Sequence, residues 1–267
     1  MRKARSGKYS LGYLQREEDA FKRLLEFFSP KRRVASITDA DISRYVAHRQ
    51  RQKTHLGKQV ANSTIRNELH SLSNLLKRAL KQRIIQFNPV SNHEDKPGAK
   101  PTAEAVWLDV AEAASLIEAA TEVAKRSVSY LHALIATFLL TGGRKREVLA
   151  LRVEDVDFEA RRVSFRPNQW RGLKSLQSRR SVPLWPQLAD ILRAELETSP
   201  RTGLLFPSRR PGAPKPLRGI SDALQSCLRR AGIEKGITLH SLRHTYAAAR
   251  IQTVDRGPNG ELVAVAM

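Results

Sequence analysis

A chain of 267 residues with 41% hydrophobic content can bury one large core or two modest ones. Its formal charge of +21 and pI near 10.8 point to a polyanionic partner, nucleic acid ahead of membrane headgroups, and the cations are spread along the chain rather than gathered in a tail. The single cysteine, Cys227, excludes an internal disulfide and a cysteine-rich zinc module and suits a reducing cytoplasm, while the apolar run Leu131 to Leu140 is too short for a bilayer and no apolar stretch follows the basic residues Met1 to Ser10 to make a signal peptide.

Met1 to Ser10 carries no periodic pattern. From Leu11 to Phe28, apolar residues Leu14, Phe21, Leu24, Leu25 and Phe28 fall at helical spacing, and Ser29-Pro30 closes the segment. Thr38 opens a second helix, with Asp41 at the capping-box position and Ile37 placed to staple onto Ile42. Asn62-Ser63-Thr64 supplies caps for a third, whose apolar face is Ile65, Leu69, Leu72, Leu75, Leu76, Ala79 and Leu80, ending before Asn88-Pro89. The leucine stripe reads as core, because the charged flanks of a zipper are not sustained. These elements predict a small helical domain over residues 1–95. Between Ser91 and Thr102 the composition turns to Asn, Glu, Asp, Lys, Pro and Gly, which predicts an exposed linker, and a second domain takes up residues 96–267.

The second domain opens with Asp109 as a helix cap and Glu112 completing its capping box. A more apolar helix, Val128 to Leu140, reads as buried and ends at Gly142-Gly143. Glu147 to Leu151 predicts a short helix, and Val153 to Asp157 a turn outward. Arg162 to Arg166 and Arg180 to Leu184 alternate as two strands of a hairpin whose connection, Pro167 through Ser178, carries Trp170, Arg171 and Lys174 and is expected to project. Pro186 starts a further helix, Gly203 to Phe206 is a strand candidate, and Pro207 to Pro216 is an irregular loop. Ser221 is placed to cap a helix that stops at Gly232, before the helix that begins at His240. Thr253 to Gly260 reads as a turn-rich insertion and Leu262 to Met267 as the start of another helix. The fold class is thus mainly α with a small antiparallel β-sheet.

Two stretches carry the chemistry: Thr141-Gly142-Gly143-Arg144-Lys145-Arg146-Glu147, and His240-Ser241-Leu242-Arg243-His244-Thr245-Tyr246. Arginines suit a phosphodiester because the planar guanidinium stays charged and donates two parallel bonds. With Lys174 between the strands, Arg144, Arg243 and His240 could clamp one phosphate from several sides. His240 and His244, four residues apart, invite a zinc reading, but the sequence offers no third ligand at suitable spacing, so no metal is expected.

The order Thr-Gly-x-Arg-x-x-Glu, a lysine ahead of Arg-Arg-Ser-Val-Pro-Leu, and His-x-Leu-Arg-His-Thr resembles the tyrosine recombinase (phage integrase) family over nearly the whole chain. The resemblance implies a helical, SAM-like core-binding domain followed by a catalytic domain, together forming a clamp on double-stranded DNA and working as a homo-tetramer on paired sites. It implies catalytic roles for Arg144, Lys174, His240 and Arg243, with Glu147 holding the Arg144 guanidinium or the helix start in place and Lys174 protonating the departing 5′ oxygen. The implied reaction passes through a 3′-phosphotyrosine with no metal, cofactor or small-molecule substrate, in a cytoplasmic, nucleoid-associated setting.

In two respects the chain departs from that pattern. The family's nucleophilic tyrosine would fall after Met267, so the chain is expected to hold a phosphate clamp without an attacking group; Tyr246 matches a buried aromatic position and Tyr130 sits on the core helix. Gly143 stands where relatives have a larger apolar residue, which predicts looser packing there. A non-catalytic DNA-binding remnant or regulator is therefore the alternative function, and a topoisomerase-like relaxing enzyme shares the same chemistry.

Overall fold

The computed structural model describes residues 11–91, 93–94, 97–98, 104–171, 179–199, 201–209, 211–212, 215–252, 254–256 and 262–264. By its contacts the chain divides into two compact units, residues 1–103 and 104–267.

In the first unit, helix α1 (Leu11–Phe28) packs on α3 (Asn62–Lys81), with α2 (Asp39–Arg51) between them in sequence. The apolar spacing read from the sequence explains the core: Leu24, Phe28, Ile42, Tyr45, Ile65, Leu69, Leu72 and Leu76 are buried together. Leu25, Leu75 and Leu80 lie at the edge of that stripe and remain exposed. Thr38 closes the capping box of α2 with Asp41. Burial pushes the Asp41 carboxyl up, but bonds from the Thr38 N–H and hydroxyl and the Arg44 and Arg32 guanidiniums outweigh it and hold the group at about 2. Inside, Glu68 accepts from the Tyr45 hydroxyl at 2.8 Å and from Arg49 Nε and Nη2 at 2.9 and 2.7 Å, so a buried ion pair is hydrogen-bonded on both oxygens.

Some expectations fail here. Helix α3 begins at Asn62 with Ala61 as its cap residue, and no side chain caps it. The predicted linker is not wholly exposed: His93 and Pro97 are buried, and His93 Nδ1 meets Asp39 Oδ1 at 2.7 Å, an ion-pair geometry that ties this segment to the start of α2.

The second unit is built around α5 (Leu131–Thr141), whose residues are buried on almost every side, as its near-continuous apolar sequence requires. Helices α4 (Val110–Ala124), α7 (Pro186–Thr198) and α9 (Leu239–Gln252) pack on it, and α8 (Ser221–Arg230) packs on α4. Asp109 and Glu112 form the capping box of α4, and Pro186 occupies the first turn of α7. A three-stranded antiparallel sheet, β1 (Val156–Asp157), β2 (Arg162–Phe165) and β3 (Arg180–Pro183), runs in that order, with Val163 opposite Val182 and Phe165 opposite Arg180. Val163 and Phe165 turn inward and are fully buried.

The residues read as an outward turn, 153–157, instead form a single 3₁₀ turn (Val153–Asp155) that runs into the extra strand β1. Gly203 to Phe206 contributes one bridge, Leu204 to Arg152, rather than a strand. Ser221 is the first helical residue of α8, not its cap. Leu262–Ala264 is β5, paired antiparallel with β4 (Val254–Arg256), where a helix was expected; its pattern of apolar residues pairs with a partner strand instead of starting a helical turn. No helix among the described residues is long and apolar enough to cross a membrane.

Candidate phosphate-binding site

Helix α5 stops because Gly142 takes a left-handed conformation, φ +57°, which a side-chain-bearing residue adopts only with strain. Two residues later Arg144 is extended and caps the short helix α6 (Lys145–Leu149), and Glu147 in its first turn accepts the Arg144 N–H at 2.9 Å. The backbone therefore reverses within Gly142-Gly143 and aims Arg144 outward.

The two motifs interlock at this turn. A Cβ on Gly142 would lie 2.3 Å from Tyr246 Cδ1, so the tyrosine ring rests against the glycine backbone, and Arg243 Nη1 donates to the Gly142 carbonyl. Gly143 is not loosely packed: a Cβ there would meet Val148 Cγ2 at 2.5 Å and Phe165 Cζ at 2.9 Å, so these side chains fill the space a larger residue would take. Thr245, inside the second motif, accepts the Leu108 N–H at 3.0 Å and so ties the start of the unit to α9. Thr238 and Ser241 satisfy each other's backbone N–H groups at the start of α9, a cap not recognised in the sequence.

Arg144, His240 and Arg243 line one cleft of about 310 Å³ together with Lys145, Ser221, Gln225 and Thr238. Arg144 is half exposed, Arg243 is partly buried, and His240 is exposed with its ring edge-on to His244 at 4.6 Å. No group of three or more His, Cys, Asp or Glu side chains among the described residues could hold a metal. Lys174 lies outside the described residues.

Glu147 is the anionic centre of this cationic set. It is 5% exposed, and its carboxylate accepts from Arg144 Nη1 at 2.9 Å and from Arg180 Nη2 at 2.8 Å. Burial pushes the carboxyl up, but the Arg180 bond and the Arg144 N–H and guanidinium outweigh it and hold it at about 2. Arg243 is pushed the other way: burial, then the nearby Arg144 and Arg180 charges, lower its proton affinity, with Glu147 pulling it back. Two guanidiniums bond one carboxylate and the Arg243 charge stands nearby, which leaves net positive charge beside the cleft, suited to an anion with several acceptor oxygens.

Arg180 escaped sequence reading as a site residue; it stood there as a strand residue, and the only signal was its place in Arg-Arg-Ser-Val-Pro-Leu. Arg171 was expected to project with its loop. It is 3% exposed instead, donating Nη1 to the carbonyl of buried Glu147 at 2.7 Å and Nη2 to the Arg166 carbonyl just past β2.

A family model described as the phage integrase family matches residues 106–254, and a second, the phage integrase SAM-like domain, matches residues 2–95. The chain is 24% identical over 196 residues to tyrosine recombinase XerC of Lactobacillus delbrueckii subsp. bulgaricus, covering 73% of this chain and 65% of that protein. With XerC of Chlamydia caviae the identity is 27% over 195 residues, 70% of this chain and 58% of the relative. The chain thus spans less than two thirds of the length of these curated relatives. Among solved structures, the Tn1549 transposon integrase in complex with transposon right end DNA superposes with a TM-score of 0.72 at 17% identity, covering 93% of this chain and 84% of that one. A lambda integrase dimer bound to a core site gives 0.67 at 16%, covering 92% and 85%. With the helical first unit, the three-stranded sheet and the interlocked Arg144 and Arg243 turns in place, the chain belongs to the phage integrase family.

Proposed function

We propose that this chain serves site-specific DNA recombination, with residues 1–95 as a core-binding domain gripping duplex DNA and residues 96–267 holding the scissile phosphate. One observation carries the reading: Arg144, His240 and Arg243 open on a single cleft whose only neighbouring carboxylate among the groups acting on Arg243, Glu147, is already taken by Arg144 and Arg180. Arg144 and Arg243 neutralise the non-bridging oxygens as the pentavalent centre forms. His240 acts as phosphate donor or accessory acid and base, and Lys174 protonates the departing 5′ oxygen. The reaction runs through a 3′-phosphotyrosine, with the active protein a tetramer on two DNA sites in the cytoplasm.

The test is recombination between pairs of duplexes drawn from the DNA around the gene, scored by amplifying the recombinant joint. Protein carrying the family's nucleophilic tyrosine yields the joint; Arg243→Ala in that protein yields none, yet keeps most of the salt-sensitive DNA affinity, which is spread over many cations. Joints formed equally by Arg243→Ala overturn the site assignment.

A second reading, occupancy of DNA without cleavage, rests on the tyrosines. The tyrosines of the second unit are Tyr130, which donates to the Pro207 carbonyl, and Tyr246, which lies under Gly142, and neither lines the cleft. Intact DNA binding with no covalent adduct trapped on nicked duplex selects this reading.

A further inference from the structure

The Glu147 carboxylate has two guanidinium partners, and they differ in role. Arg144 is half exposed and lines the cleft. Arg180 is about one quarter exposed and does not line it. It starts β3, and its guanidinium lies 4.4 Å from the ring centroid of Phe165, its cross-strand neighbour. That ring is fully buried and also fills the space beside Gly143. Arg180 is therefore held on both sides, by the ring beneath it and by Glu147 Oε2 at 2.8 Å.

Without Arg180, Glu147 Oε1 would meet Arg144 Nη1 and Oε2 would be held by the Arg144 N–H alone, at 2.9 Å. A second, fixed guanidinium joins the Arg144 N–H on Oε2, leaves Oε1 facing the Arg144 guanidinium and raises the positive charge of the cluster. Resting on the phosphate-clamp reading above, we propose that Arg180 is a positioning residue for phosphate transfer: it fixes Glu147, and through it Arg144, without touching DNA itself.

The experiment compares Arg180→Gln and Arg180→Lys with wild type in the same recombination assay, with Arg144→Ala as reference. Arg180→Gln is expected to slow joint formation on the order of 10–100-fold, as loss of a supporting partner does, while DNA affinity stays within about twofold. It should also shift the acid limb of the rate profile to higher pH, because Glu147 loses one of the partners that keep it ionised. Arg180→Lys, which restores the charge, should move that limb back. Unchanged rate and profile in Arg180→Gln overturn the proposal. A loss of DNA affinity as large as that of Arg144→Ala overturns it too, since Arg180 would then be a DNA ligand.

Should the protein carrying the family's tyrosine form no joint, the recombination reading fails by itself, and Arg180 is judged by NMR titration of the Glu147 carboxyl, assigned with Glu147→Gln. A midpoint raised by at least about one pH unit in Arg180→Gln supports the coupling, and an unmoved midpoint overturns it.

Discussion

Glu147→Gln removes the one negative charge bonded by Arg144 and Arg180 with almost no change of shape. The wild-type carboxylate is buried and held at about 2 against an ordinary 4.5. At about 1.4 kcal/mol per tenfold change in proton affinity, that depression corresponds to about 3 kcal/mol of folding stability at neutral pH. The sign follows from the direction: a carboxyl with a lowered folded pKa stabilises fully above its unfolded pKa, and the contribution drains away as pH falls from 4.5 towards about 2. Urea unfolding followed by tryptophan fluorescence isolates the effect, because Trp107, Trp170 and Trp185 all lie in the second unit. Glu147→Gln should be less stable than wild type by about 3 kcal/mol at about pH 7, with the gap falling below half by about pH 3. A gap that is the same at both pH values would refute the reasoning, because a steric or neutral hydrogen-bond loss does not depend on this ionisation.

Gly142→Ala should cost about 2–4 kcal/mol in the same assay, since the new methyl meets both a left-handed φ of +57° and the Tyr246 ring. In the first unit, Glu68→Ala leaves Arg49 buried without its counter-charge and should cost about 3–5 kcal/mol, measured by helical circular dichroism of the earlier or later of two unfolding transitions. Cys227 is fully buried and burial pushes its thiol up to about 11, so it should resist a thiol-reactive dye in native buffer and react fully in denaturant; prompt native labelling would show that α8 opens.

What the sequence disclosed and what it concealed divides along contact range. The capping boxes of Thr38 with Asp41 and of Asp109 with Glu112 were legible because both partners lie three residues apart on one turn. The buried α5 and the β2–β3 hairpin were legible from period and composition. Arg144 and Arg243 stood out by motif, although the motif says nothing of the Arg243 bond to the Gly142 carbonyl that joins them. The concealed part is longer in range: Arg180 reaches Glu147 across 33 residues, Arg171 reaches the Glu147 carbonyl across 24, and Arg49 reaches Glu68 across 19. In a chain with 47 basic residues, no local pattern separates the few cations that fold inward from the many that face solvent.

The same limit explains the errors over Gly143 and Leu262. Gly143 looked like missing volume because a glycine removes a side chain from its own position; the volume is supplied by Val148 and by Phe165, 22 positions later on β2. Leu262–Ala264 looked helical because a short apolar run has no period of its own, and its pairing with Val254–Arg256 decides the matter. In both places the structure follows from which residues meet, so a substitution on one partner is the way to read the other. Shortening Phe165 to leucine should open room beside Gly143 and at once loosen Arg180, whose guanidinium loses its aromatic shelf. If Gly143→Ala is destabilising in wild type but tolerated when Phe165→Leu is also present, the two positions share one space. Additive losses would mean that they do not.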